Sequence, residues 1–278
     1  MFGHNRAKRN TPERREPELT IAISIVTSLV AAILFTIAQY LWRHRRASKL
    51  VLWSVTHWRS SVRVSVASIC IFCIDSKYVL VRQSRRPDQI GPIGGAVDIF
   101  PAGLRSLDDL GFKVESPLES KWGIARTALR GFLPARQVTR FGLWLLGDMG
   151  RESFRECIER ELTEELTAAG TPADEIPRFR HFRYVRTVSE GPKYIKGTEI
   201  WQWRMMRVFE YTLDPDFDSE LITSIRSNSG PELSLEMVTA DEIRSGRSES
   251  NSVIGSHAEY LLNGRSHRHE IPQRIRRA

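Results

Sequence analysis

An α/β fold preceded by one N-terminal transmembrane helix is what this sequence predicts, on three observations. Residues 19–42 form an apolar run without charge, residues 154–166 carry apolar side chains at helical spacing, and residues 62–82, 178–188 and 199–213 have strand character. With 41% hydrophobic and 27% charged residues, the 278-residue chain has the composition of a folded protein. Its net charge of +8 and pI near 9.7 favour anionic partners such as nucleotides, nucleic acid or lipid headgroups. Basic tails beside the membrane segment supply much of that excess.

Residues 1–18 are a basic tail containing Arg6, Lys8, Arg9, Arg14 and Arg15. The run that follows, about 24 residues, extends about 36 Å as a helix, enough to cross a hydrocarbon core of about 30 Å. It exceeds the ~7 to 15 apolar residues of a signal-peptide core, so a retained span is expected. Tyr40 and Trp42 suit the interface. Ser24, Ser28 and Ala32 recur at every fourth position, a spacing that lets membrane helices approach closely and offers a face for self-association. Arg43, Arg45, Arg46 and Lys49 follow the run, so both flanks are basic and the positive-inside rule does not set the orientation. The cysteines suggest no disulfide framework, which fits a reducing compartment.

Residues 43–61 form a juxtamembrane linker with Trp53, His57 and Trp58. A soluble domain is expected over residues 62–245. Residues 62–67 alternate, 69–74 are continuously apolar, Asp75-Ser76-Lys77 supplies a turn and 78–82 resume a strand, which is a hairpin pattern. Cys70 and Cys73 have the gap of a metal or redox pair, but on a strand positions three apart face opposite sides, so no such pair is expected. Gly91-Pro92-Ile93-Gly94-Gly95-Ala96 marks a turn. Residues 97–146 carry apolar runs together with Arg105, Lys113, Lys121, Arg126, Arg130, Arg136 and Arg140. A stretch that long should fold within a compact domain, either shaping a ligand pocket or covering a sheet edge. Residues 246–278 form a basic C-terminal tail.

The helix over residues 154–166 holds the anomaly. At about 100° per residue from Phe154, Ile158, Leu162, Leu166 and Cys157 share one arc. Glu152, Glu156, Glu159 and Arg160 fall opposite it, the solvent side of an amphipathic helix. Glu161 and Glu165 fall inside the apolar arc and Glu164 at its edge. Like charges four residues apart repel, more so when desolvated, so these carboxylates need a neutralising partner. A divalent cation and arginines are the two candidates.

Glu152, Arg160, Glu161, Leu162, Glu164 and Glu165 match, with correct spacing, the box of the Nudix family. The segment resembles that box with two departures: its closing Gly-aliphatic pair is replaced by Thr167-Ala168, and its leading Gly falls on Leu146, one residue before Gly147. Residues 233–243 resemble the late Nudix strand that enters a short helix. The resemblance implies an α-β-α sandwich with a mixed sheet. It makes Glu161, Glu164 and Glu165 metal ligands for Mg²⁺ or Mn²⁺, with Glu161 assisting the attacking water and Arg160 orienting the glutamates. In that family the Pro-Gly-Gly-like turn leads straight into the box, whereas here residues 97–146 intervene.

The apolar run, the Gly-Pro-Ile-Gly-Gly-Ala-Val turn, the insert and the altered box together resemble the NUDIX domains associated with CD-NTases in bacterial CBASS antiphage systems. That resemblance implies a single-pass inner-membrane effector with a cytoplasmic Nudix-like domain. The domain would sense a cyclic oligonucleotide made by the CD-NTase, through Arg126, Arg130, Arg136 and Arg140 and groups of the box. Its membrane helices would then assemble and damage the bilayer. The expected partners are the cyclic nucleotide, the membrane and further copies of the chain, with no nucleic-acid polymer. The intact Arg160-Glu161 and Glu164-Glu165 pairs keep a second reading open, a membrane-anchored pyrophosphohydrolase of nucleoside diphosphate derivatives.

Overall fold

The computed structural model describes residues 24–33, 35–36, 39, 45–83, 86–115, 127–147, 149–172, 176, 182–214, 216–230, 234–262 and 270–271. The chain divides into two compact units, residues 1–49 and 50–278. In the first unit residues 24–33 are helical, and Ile25, Val26, Leu29 and Val30 are exposed. Among the described residues no helix is long and apolar enough to cross a membrane. The expected basic tail and part of the expected span over 19–42 lie outside the described residues.

Helix α1 (Arg45–Thr56) carries the chain into the second unit. There Leu50 and Trp53 pack against the core, while Leu52 and Val55 stay exposed. The indole of Trp53 stacks on His57 at 5.0 Å and meets Trp201 edge-on at 5.3 Å. The linker expected over 43–61 is therefore largely a packed helix.

Strand β1 (Ser61–Ile71) organises the domain. Its alternation sends Val62, Val64 and Val66 into the main core and Ile69 and Ile71 into a second core on the other face. The hairpin read from the sequence continues through β2 (Cys73–Ile74) into β3 (Lys77–Gln83). Asp75 and Ser76 both take positive φ, 49° and 64°, as a tight primed hairpin turn requires. β3 pairs antiparallel with β4 (Arg86–Pro92), and β5 (Gly94–Ala96) returns antiparallel to β1.

The described residues of 97–146 form secondary structure, and they do more than cover an edge. They comprise β6 (Asp98–Ile99), α2 (Pro101–Asp108), β7 (Lys113–Val114), β8 (Thr127–Ala128), β9 (Arg130–Pro134), a 3-10 turn and α3 (Val138–Leu146). β9 pairs antiparallel with β1, and β7 with β9, so the insert extends the central sheet by two strands.

Helix α4 (Phe154–Ala168) follows, then β10 (Phe182–Ile195) and β11 (Ile200–Tyr211). β11 runs parallel to β1, whereas β10 is antiparallel to β11, so the sheet is mixed as expected. Helix α5 (Ser219–Ser227) leads to β12 (Leu235–Val238) and α6 (Ala240–Ser245), the strand and short helix read from residues 233–243. β13 (Val253–Ile254), a 3-10 turn over Ser256–Leu261 and β14 (Glu270–Ile271) complete the fold. The two larger sheets run β14-β10-β11-β1-β9-β7 and β12-β3-β4-β13, and β6 pairs antiparallel with β8. Phe154, Ile158, Leu162 and Leu166 of α4 fill the main core. Ile243 of α6 and Ala258, Tyr260 and Leu261 of the last turn fill the second. Helical segments thus flank the strands on both sides, and the packed domain runs through Leu261, past the boundary expected at residue 245.

Candidate functional site

Ser153 starts α4 by a capping box: its hydroxyl accepts from Glu156 N at 3.1 Å, and the Glu156 carboxylate accepts from Ser153 N at 2.8 Å. The helix therefore begins after Glu152, and a wheel that places Glu152 on a solvent face does not apply to it. Glu152 is buried. Its backbone N–H donates to Asp98 O at 2.9 Å, and its carboxylate accepts from Asp98 N at 3.1 Å.

These bonds show how the box assembles despite the insert. Phe100 N donates to Gly150 O at 2.9 Å, and Ile99 bridges to Arg151. Gly103 and Gly150 touch so closely that a Cβ on Gly103 would sit 1.9 Å from Gly150 O. The two ends of the insert meet, so the glycine turn and the box are neighbours in space. Arg151 is fully buried and ties the end of α3 to the box. Its guanidinium donates to Leu145 O at 2.9 Å, Gly147 O at 2.7 Å and Glu152 O at 2.9 Å.

Gly94, Gly95 and Ala96 lie along α4. Gly94 N donates to Glu165 Oε2 at 3.1 Å. A Cβ on Gly95 would fall 2.1 Å from the Glu161 carboxyl, so only glycine leaves that carboxyl its place. At the far end α4 passes through Thr167 and Ala168, where the box pattern has its Gly. Gly170, at φ +97°, makes the turn instead, and Thr171 N closes onto Leu166 O at 3.0 Å.

Arg160 is the centre of the site. It binds both Glu152 oxygens, Nε to Oε1 and Nη2 to Oε2, each at 2.8 Å. It also reaches Glu161 Oε1 at 2.7 Å, Ala96 O at 3.1 Å, Glu164 at 3.6 Å and Asp98 at 3.7 Å. The expectation that Arg160 and Glu152 face solvent is thus corrected: the side chains are 16% and 9% exposed, because the segment 94–98 closes over that flank of the helix. Glu156 and Arg155 do lie toward solvent, whereas Glu159, paired with Arg155 at 2.9 Å, is 17% exposed, about the same as Arg160.

The placement expected for the three glutamates holds. Glu161, Glu164 and Glu165 are half-buried, Glu164 the most open at 37%. Burial raises the Glu161 carboxyl above its usual range even though Arg160 pulls it down. Burial, and then the charge of Glu161, hold Glu165 well above it, with the Gly94 N–H offsetting only part. Burial disfavours the charge on Arg160, but its bonds to Glu152 and the charges of Glu161 and Glu152 outweigh that and raise its pKa. The oxygen donors are of the type that holds Mg²⁺ or Mn²⁺. Among the described residues, however, no three of His, Cys, Asp or Glu are grouped to hold an ion. Arg160 joins Glu152, Glu161 and Glu164 in this arrangement.

The insert arginines do not gather around this site. Arg126 lies outside the described residues. Arg130, paired in register with Ser65, stands on the sheet face opposite α4, while Arg136 and Arg140 are exposed on the 3-10 turn and α3. Of the later carboxylates, Glu199 sits in a turn at φ 54°, Glu210 pairs with Arg183, and Glu236 is buried against Arg82, Ser250 and Ser252. The roles of Asp98 and Arg151 escaped the sequence, since neither stands inside a recognisable spacing.

A family model, the SMODS-associated NUDIX domain, matches residues 61–262. The chain belongs to that family. The match begins with β1 and ends one residue after the last 3-10 turn, so the Nudix domain has the limits that packing gives it. Membership associates the chain with CBASS-type defence. No curated protein and no solved structure matches the chain.

Proposed function

We propose that this protein is a CBASS effector whose Nudix domain senses a cyclic oligonucleotide made by a CD-NTase. The observation that carries the reading is the match to the SMODS-associated NUDIX family over residues 61–262. One feature counts against hydrolysis as the output of the box: α4 continues through Thr167 and Ala168, where the box pattern has its closing glycine. The uncharged run over residues 19–42 serves as a single inner-membrane span, with the Nudix domain on the cytoplasmic side. Ligand binding drives assembly of several copies, and the membrane helices then breach the bilayer.

Calorimetry of the full chain in detergent micelles against a panel of cyclic di- and trinucleotides tests this. Saturable binding of one member is expected. No binding across the panel overturns it.

A second reading is favoured by Glu161, Glu164 and Glu165, three carboxylates brought together within little more than one turn of α4, of which burial disfavours the charged form of Glu161 and Glu165. A Nudix hydrolase would use Glu161, Glu164 and Glu165 to bind Mg²⁺ or Mn²⁺, which supplies charge neutralisation on a diphosphate. Unchanged protection of infected cells by the double variant Glu161→Gln, Glu165→Gln would exclude hydrolysis as the output.

A further inference from the structure

Among the described residues, the sheet face opposite α4 is only half covered. Toward the end of β1 it carries the second core, capped by α6 and the last 3-10 turn. Toward the start of β1 the opposed residues are polar. One row across β10, β11, β1, β9 and β7 reads Lys193, Gln202, Arg63, Phe132, Lys113. The next row reads Glu190, Arg204, Ser65, Arg130. At about 4.8 Å between strands, the first row extends about 19 Å.

Five cations stand here beside two carboxylates, Glu115 and Glu190, and both carboxylates hold cations in place. Glu115 grips Arg63 with two bonds of 2.8 and 2.6 Å. Glu190, itself bonded by the Tyr260 hydroxyl, lies 3.8 Å from Arg204. His257 Nε2 is 2.8 Å from Arg204 Nη1. Burial, then the charge of Arg204, with a smaller push from Arg130, holds His257 below its usual range, so the neutral ring accepts from Arg204. Amid these charges Phe132 is half-buried, with Arg63 and Lys113 on either side. An aromatic ring between fixed cations is how proteins take a base and its phosphate together.

We propose that this open half of the sheet binds a phosphodiester-linked nucleotide, with Phe132 stacking on a base and Arg63, Lys113, Arg130 and Arg204 contacting phosphates. The proposal rests on the reading of the domain as a nucleotide sensor. It adds that the ligand lies on the face opposite the glutamate helix.

The test is equilibrium binding of the same cyclic di- and trinucleotide panel to the full chain in detergent micelles, at two salt concentrations. Binding should weaken as salt rises, and fall about 10-fold or more in Phe132→Ala, with Phe132→Tyr restoring it. The double variant Arg130→Glu, Lys113→Glu should abolish it. Arg140→Glu, the same charge change on the α3 side, should leave it intact. Loss in Arg140→Glu with retention in the double variant overturns this site but leaves nucleotide sensing standing. Absence of binding by the unaltered chain overturns both. If the double variant instead weakens only the binding of phosphatidylglycerol vesicles, the face is a lipid surface and the proposal fails.

Discussion

Arg160 holds both oxygens of the buried Glu152 at 2.8 Å, joining a residue that precedes α4 to the middle of that helix. The pair lies under the segment 94–98, so neither charge can turn to water if the other is removed. Arg160→Ala is expected to cost about 3–5 kcal/mol, the loss typical when one partner of a buried pair is deleted. Arg160→Lys should recover part of it, since an ammonium cannot span both oxygens. Chemical denaturation of the full chain in micelles measures both. A loss below about 1 kcal/mol in Arg160→Ala, the size of an exposed pair, would show that the site is open.

Glu165 gives the site a pH signature. Its folded pKa lies above its ordinary value of 4.5, so between the two values the folded state binds more protons than the unfolded one. Stability from this group is full below the ordinary value and lost as pH rises through the folded one. Glu165→Gln, whose side-chain oxygen can still accept from Gly94 N, should therefore melt higher than the natural chain at about pH 8 and lose that advantage near about pH 4. Thermal melts at both pH values decide it. An advantage that does not change with pH would rule out a desolvated carboxyl.

The contact of Gly103 with Gly150 makes the insert responsible for placing Glu152. Gly103→Ala drives a methyl to within 1.9 Å of a backbone oxygen, where no side-chain rotation relieves it. A loss of about 1–3 kcal/mol is expected. Gly142→Ala is the matched control, because on α3 its Cβ meets nothing within 4 Å and should gain up to about 1 kcal/mol of helix propensity. Equal effects of the two substitutions would remove the insert from the site.

The hairpin, the late strand and helix, and the anomalous glutamates were all legible because each depends on a local period. Glu161 and Glu165 stood out since a helix fixes the direction of both within one turn. Glu152 and Arg160 were misread for the same reason: the wheel knows neither where Ser153 starts the helix nor that 94–98 will cover its flank. Asp98 was illegible, because its role arises only when the ends of the insert meet. Among the described residues the insert arginines do not form one patch, since strand alternation and a turn, not their spacing in sequence, set Arg130 and Arg140 apart.

The three cysteines test the packing directly. Cys70 lies in the main core and Cys73 packs against the second, as their spacing on a strand requires. Burial lifts Cys70 and Cys157 far above the usual thiol range and Cys73 to about 11. Since the thiolate is the reactive form, alkylation of the folded chain near about pH 8 should reach only Cys73, on the order of 100-fold more slowly than a free thiol. Cys70 and Cys157 should react only on unfolding. Peptide mapping after a timed iodoacetamide pulse reads all three sites. Cys157, whose thiol faces Gly95 O at 3.6 Å, is the decisive one: its early labelling would mean that α4 leaves the glycine strand, and with it the shelter of Arg160 and the glutamates.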